Sequence, residues 1–180
     1  MTSSEPSTSA FGPAAERSCV IQEADLHRLV IRHERLARLC DLLEACADGL
    51  PAWPSGAEAE RLRSALGEYV ETEAGGDAFV VGIFGPGPQD RLATALVRHV
   101  DARHAGDLIH AQDLIAALEA GPAPNGGISA ETFGYMLRCF FAAGRQSMVL
   151  EELAVLALGR HHLTPDGAAL LTDSLCRRTA

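Results

Sequence analysis

Apolar residues recur at spacings of three and four along most of this chain, the period of a helix with one face in a core. The first such stripe is Leu26, Leu29, Leu36, Cys40, Leu43 and Ala47, and it predicts a helix from about Glu23 to Asp48. The stretch 49–56 holds two Gly and two Pro and reads as a loop. A second helix starts near Ala57, with Leu62, Leu66, Tyr69 or Val70, and Ala74 inward, until Gly75-Gly76 interrupts it. Asp77 to Phe84 reads either as a last turn or two of helix or as a distorted segment. The Gly85-Pro86-Gly87-Pro88 run is a break.

A third helix is expected from about Gln89 to Ala120, with Val97, Val100, His104, Leu108, Ala111, Ile115 and Leu118 inward. After a Pro/Gly loop at 121–127, Ser129 is a suitable N-cap for a fourth helix reaching about Arg160. Its stripe is Phe133, Leu137, Phe140, Gly144, Ser147, Glu151, Ala154 and Leu158. Thr164-Pro165 opens a short last helix, with Thr164 as N-cap and Pro165 in the first helical position. Four long helices with short loops predict an all-α, up-down four-helix bundle with a short extra C-terminal helix. The domain covers residues 21–180, and 1–20 is expected to be a polar, disordered tail.

Composition supports helices. Aromatic residues make up only 5% of the chain, while Ala and Leu, both strong helix formers, dominate. The net charge is −9, and the 15 basic residues, all Arg, are scattered. That argues against a nucleic-acid partner, which calls for a basic stripe. No apolar run approaches the ~20 residues of a membrane helix, and no signal peptide is visible at the start, so a cytoplasmic protein without a membrane partner is expected. Five cysteines without a CxxC fit reduced core thiols better than a disulfide framework. There is no phosphate loop, nucleophile elbow or HExxH, and the chain reads as no enzyme.

Candidate chemistry lies in three ionisable residues on inward stripes: His33, His104 and Glu151. Each stands near the middle of a different helix, where facing stripes meet in one layer. A buried carboxylate needs an ionic partner, hydrogen bonds or a metal. Two imidazoles and a carboxylate suit a metal site built from facing helices, and equally a His–Glu hydrogen-bonded pair without metal. The other histidines, His27, His99, His110, His161 and His162, lie off the stripes or near helix ends.

The segment His33-Glu34-Arg35-Leu36-Ala37-Arg38-Leu39-Cys40 and the Asp77-Ala78-Phe79 triplet resemble the first-helix His segment and the end of the second-helix motif of the hemerythrin-like (HHE cation-binding) family, and 150–158 followed by His162-Leu163-Thr164-Pro165 resembles the fourth and terminal helices of a bacterial branch of it. The resemblance implies a di-iron bundle, with His33, His104 and Glu151 at three ligand positions. Other ligand positions fall on Val70, Ala74 and Ser147, with Leu108 where a second third-helix His would stand. Val and Ala cannot coordinate a metal, and Ser is a poor substitute. A one-residue shift in the second helix would bring Glu73 or Glu71 closer. The implied protein is a divergent member with a depleted site, a sensing, regulatory or binding module. Its cofactor would be iron, at a mono- or partial di-metal site, or none. The alternatives are a working non-haem iron protein that binds oxygen or iron, and a metal-free helical protein-interaction domain whose partner the sequence does not name.

Overall fold

The computed structural model describes residues 21–74, 91–123 and 127–179. The expected tail and the stretch from Gly75 to Asp90 lie outside them. The described residues are helical, joined by turns and one isolated bridge between Pro122 and Ile128. The helices are α1 (Glu23–Asp48), α2 (Gly56–Ala74), α3 (Arg91–Ala120), α4 (Ala130–Leu158) and α5 (Pro165–Thr179). No helix among the described residues is long and apolar enough to cross a membrane.

The caps explain where α4 and α5 begin. Ser129 accepts a hydrogen bond from the Thr132 backbone N–H at 3.1 Å. Thr164 accepts one from Gly167 at 3.0 Å, and Pro165 occupies the first helical position, where its missing N–H costs nothing. Gly121 ends α3 with a φ of 73°, a left-handed conformation that favours glycine.

The helices form a closed ring in which α1 packs on α4, α4 on α3, α3 on α2 and α2 on α1, while α5 lies against α1 and α4. Cross-helix contacts fix their directions. His33 meets Glu151, and Asp41 meets Arg145, so α1 and α4 run antiparallel. His104 meets Glu151 and Asp107 meets Ser147, which makes α3 and α4 antiparallel too. Arg63 approaches Glu119, and Glu73 approaches His104, giving α2 and α3 the same relation.

The main core joins Leu36, Leu39, Leu43, Leu66, Leu114 and Phe140 with their neighbours from four helices. A smaller core of Ile21, Leu26, Leu29, Val30, Val155 and Leu171 lies at the other end, and Val97 and Val100 pack separately. Between these apolar regions the sequence positions 32–33, 104–107, 147–152 and 174–178 place polar side chains. The site therefore occupies a polar layer within an apolar bundle.

Close approach of α1 and α4 depends on Gly144. A Cβ there would stand 3.2 Å from the Cys40 sulfur and 3.5 Å from a Leu36 methyl. Gly144→Val should destabilise the fold by about 1–3 kcal/mol through overpacking. Urea unfolding checks this, and an unchanged midpoint would mean that the two helices stand farther apart.

Two stripes differ from their sequence reading by one residue. In α3, Asp107 is buried at 4% exposure, and Leu108 is only partly buried. In α2, Ala74 is exposed, whereas the Glu73 side chain retains 10% exposure. The alternation of four and three that follows 3.6 residues per turn runs 100, 104, 107, 111 and 62, 66, 69, 73. The stripes took the apolar neighbours Leu108 and Ala74 in place of Asp107 and Glu73, and the one-residue shift considered for the second helix is the register that brings Glu73 inward.

Candidate functional site: a buried ion network

Glu151 is the centre of the polar layer. It sits in the C-terminal part of α4 on the face that also carries Ser147 and Ala154, and its side chain is 2% exposed. His104, from α3, donates from Nε2 to Glu151 Oε1 at 2.5 Å. His33, from α1, places Nε2 3.2 Å from Glu151 Oε2. Arg32, the residue before His33, hydrogen-bonds the same Oε2 through its guanidinium. The three residues singled out from sequence therefore do meet, and they meet on the carboxylate of one of their own number.

Two further carboxylates complete the network. Glu73, from α2, has an oxygen 3.5 Å from Arg32 and 3.9 Å from His104 Nδ1. The second helix therefore does contribute an acidic group, through Glu73 and not through position 70 or 74. Glu152, fully buried, faces α1 and α5. Its Oε1 lies 2.9 Å from His33 Nδ1 and accepts from Ser174 at 2.8 Å and from Arg178 Nε at 3.2 Å. His33 thus has a carboxylate on each ring nitrogen. Two adjacent residues of α4 thus tie it to α1, α3 and α5, and Glu73 joins α2 to the network through Arg32 and His104.

Glu152 was not visible in the hydrophobic pattern because it lies off the main α4 stripe. Its signal was in α5, where Ser174 and Arg178 stand four apart on one helix face, complementary to an acid. Arg32 gave a weaker signal, since a single Arg beside an inward His usually reads as solvated. Asp107 makes a separate buried pair, accepting a hydrogen bond from Ser147 at 2.7 Å.

The electrostatics follow from these contacts. Burial pushes the Glu151 carboxyl up, but the His104 and His33 hydrogen bonds and the Arg32 charge outweigh it and hold Glu151 well below the usual carboxylate range. Glu152 is likewise held down: burial opposes, while the His33 and Ser174 hydrogen bonds and the His33 and Arg178 charges prevail. For His104, burial acts downward, yet the hydrogen bond and charge of Glu151, with help from Glu73 and against Arg32, raise its pKa. Asp107 is raised, chiefly by burial, with the Ser147 hydrogen bond opposing.

A raised His104 pKa stabilises the fold fully below the unfolded imidazole value and progressively less as pH rises through the folded one. The depressed carboxylates Glu151 and Glu152 act on the other side, stabilising above the unfolded carboxylate value and losing that contribution in acid. Asp107 opposes them there, because its raised pKa favours the folded state as it protonates. Thermal melts between about pH 5 and about pH 9 should therefore show stability declining on the alkaline side of ~6.5, the ordinary imidazole value. His104→Gln should flatten that decline, and an equally steep decline in the variant would assign it to another group.

The iron expectation can be tested against this donor chemistry. A ligating imidazole or carboxylate must offer a lone pair to a common point. Here both Glu151 oxygens already accept from N–H donors, and both His33 nitrogens face carboxylates. The Ser147 hydroxyl donates to Asp107. The guanidinium of Arg32 contacts Glu151 and Glu73, in the space between them. Among the described residues no group of three or more His, Cys, Asp or Glu is arranged to hold a metal ion. The side chains in this arrangement do not fit a resident di-iron centre.

No family model, curated protein or solved structure matches the chain.

Proposed function

We propose that the chain is a divergent hemerythrin-like, up-down four-helix bundle with a short fifth helix, in which an internal cation has replaced the metal. In this reading it is a cytoplasmic binding or regulatory module without catalytic activity. The observation that carries the reading is Arg32, whose guanidinium joins the Glu151 and Glu73 carboxylates beside His33 and His104.

A guanidinium is always charged and presents several N–H donors in a plane, so it can neutralise two carboxylates as a divalent ion would. With Arg178 on Glu152, each of the three acids has a cationic partner. A network partnered in this way holds its helices in one register, with only Glu152 Oε2 among its carboxylate oxygens buried without a hydrogen-bond partner among the described residues. Free Cys40, Cys46, Cys139 and Cys176 suit a reducing compartment.

The test is metal content and absorption of protein purified from iron-supplied cells. The proposal predicts substoichiometric iron, no oxo-bridge or thiolate bands, and a melting temperature unmoved by added Fe(II) or Zn(II). Two irons per chain with oxo-bridge absorption would establish the working iron protein instead.

A further inference from the structure

The ring of helices is least tightly closed between α1 and α2, which touch much less than α1 and α4 do. A cavity of about 330 Å³ opens there, within the usual size of small-molecule sites. One wall carries Arg32, Arg35 and Arg38, three residues apart along α1 and thus on one side of the helix. Its apolar surface comes from Leu36, Leu39 and Leu42 of α1 and from Ala65 and Tyr69 of α2.

The charges in this cavity do not cancel. It is lined by three Arg against two acids, Glu68 and Glu73, and Glu73 is already engaged by Arg32. Arg35 and Arg38 are exposed, and among the described residues neither has an acidic partner within ion-pair distance. On a protein of net charge −9, a row of guanidinium groups above an apolar floor is a local reversal of sign. It complements a ligand with a carboxylate at one end and a hydrocarbon body. The planar fork of Arg matches a carboxylate in two-point contact.

We propose that the α1–α2 cleft binds a small amphipathic carboxylate, its head group on the Arg35–Arg38 row next to Arg32 and its apolar body against Leu39, Leu42 and Tyr69. This rests on the reading of Arg32 as the resident cation of the site, and it names the ligand class that the module takes. Because Arg32 lines the cleft and also holds Glu151, an occupied cleft adds a second anion beside the buried network. Binding is thereby coupled to the packing of α1 against α4.

The experiment is calorimetric titration of the full chain, freed of metal, with octanoate, octanol and inorganic phosphate, together with the double variant Arg35→Ser/Arg38→Ser. Both substituted side chains are exposed, so the variant should keep its helicity and melting temperature. The expected result is saturable one-to-one binding of octanoate, with octanol and phosphate each weaker by about tenfold or more, and a similar loss in the double variant, as expected for a lost charge-assisted contact. Equal affinity for octanoate and octanol, phosphate binding as tightly as octanoate, an unaffected double variant, or no octanoate binding would each overturn the proposal. Iron content of the untreated protein separates the two readings. Stoichiometric iron removes the resident-cation reading, whereas metal-poor protein that ignores octanoate removes only the ligand assignment.

Discussion

Replacing Glu151 with alanine should destabilise the fold by about 3–5 kcal/mol, the usual cost of removing one partner from a buried ionic network. In a domain of this size that corresponds to a fall in melting temperature of about 10 °C. Three groups lose their acceptor at once: His104 Nε2, His33 Nε2 and the Arg32 guanidinium. They come from α1 and α3, and the site lies between the two apolar regions, so water does not readily substitute. Glu151→Gln should cost less, because the amide retains an oxygen acceptor, although its NH2 opposes the donors around it. The pH dependence separates charge from shape. The folded Glu151 pKa lies below the unfolded one, so its contribution is complete above the ordinary value of ~4.3 and fades as pH falls through the folded value. The gap between wild type and Glu151→Gln should therefore narrow in acid. Chemical denaturation at neutral and acid pH measures it, and a loss under about 1 kcal/mol for Glu151→Ala, within the range of exposed pairs, would show that the layer is solvated.

Replacing Arg32 with alanine is the second large perturbation, and it has an unusual sign structure. In metal-free buffer the variant should lose about 1–3 kcal/mol, since its side chain keeps 20% exposure and solvent screens part of the interaction. Glu151 and Glu73 then face each other with only the imidazoles between them. That is a negative, oxygen- and nitrogen-rich cavity, the chemistry that attracts a divalent cation. The same substitution that weakens the apo fold should therefore create a metal response the wild type lacks. A stabilising ligand raises apparent stability by mass action, so the gain should grow with metal concentration. Arg32→Lys, which keeps one charge but not the planar two-point contact, should show intermediate stability and no metal response.

Much of the architecture was legible from periodicity alone. The bounds of α1 agree with the stripe from Leu26 to Ala47, and Ser129 and Thr164 mark the starts of α4 and α5 through their cap hydrogen bonds. The Gly and Pro residues of 49–55 placed the loop between α1 and α2, while the break read at 85–88 lies outside the described residues. The four long helices close into an antiparallel ring.

The site was half legible. His33 and Glu151 were marked because they interrupt apolar stripes, and both are buried; His104, marked in the same way, retains 16% exposure. What the stripes left out was the counter-charges. Arg32, Glu73, Glu152, Asp107 and Arg178 are polar residues adjacent to an inward face, and a hydrophobic criterion discards them. Their burial depends on which charges face them across the bundle, and that is a tertiary property. Glu152 illustrates the point, since its burial depends on α5 covering a second side of α4, with Ser174 and Arg178 arriving from 22 and 26 residues away. The resemblance to a metal-binding family directed attention to ligands, whereas the geometry is dominated by an arginine that no ligand motif contains.

The most direct test of the central claim, that Arg32 stands where a metal cation would, is a Zn(II) titration of wild type and Arg32→Ala followed by thermal melting. The wild-type melting temperature should stay unchanged, whereas that of the variant should rise with Zn(II) concentration and fall back on adding chelator. Saturable stabilisation of the wild type by Zn(II), matching or exceeding that of the variant, would contradict it.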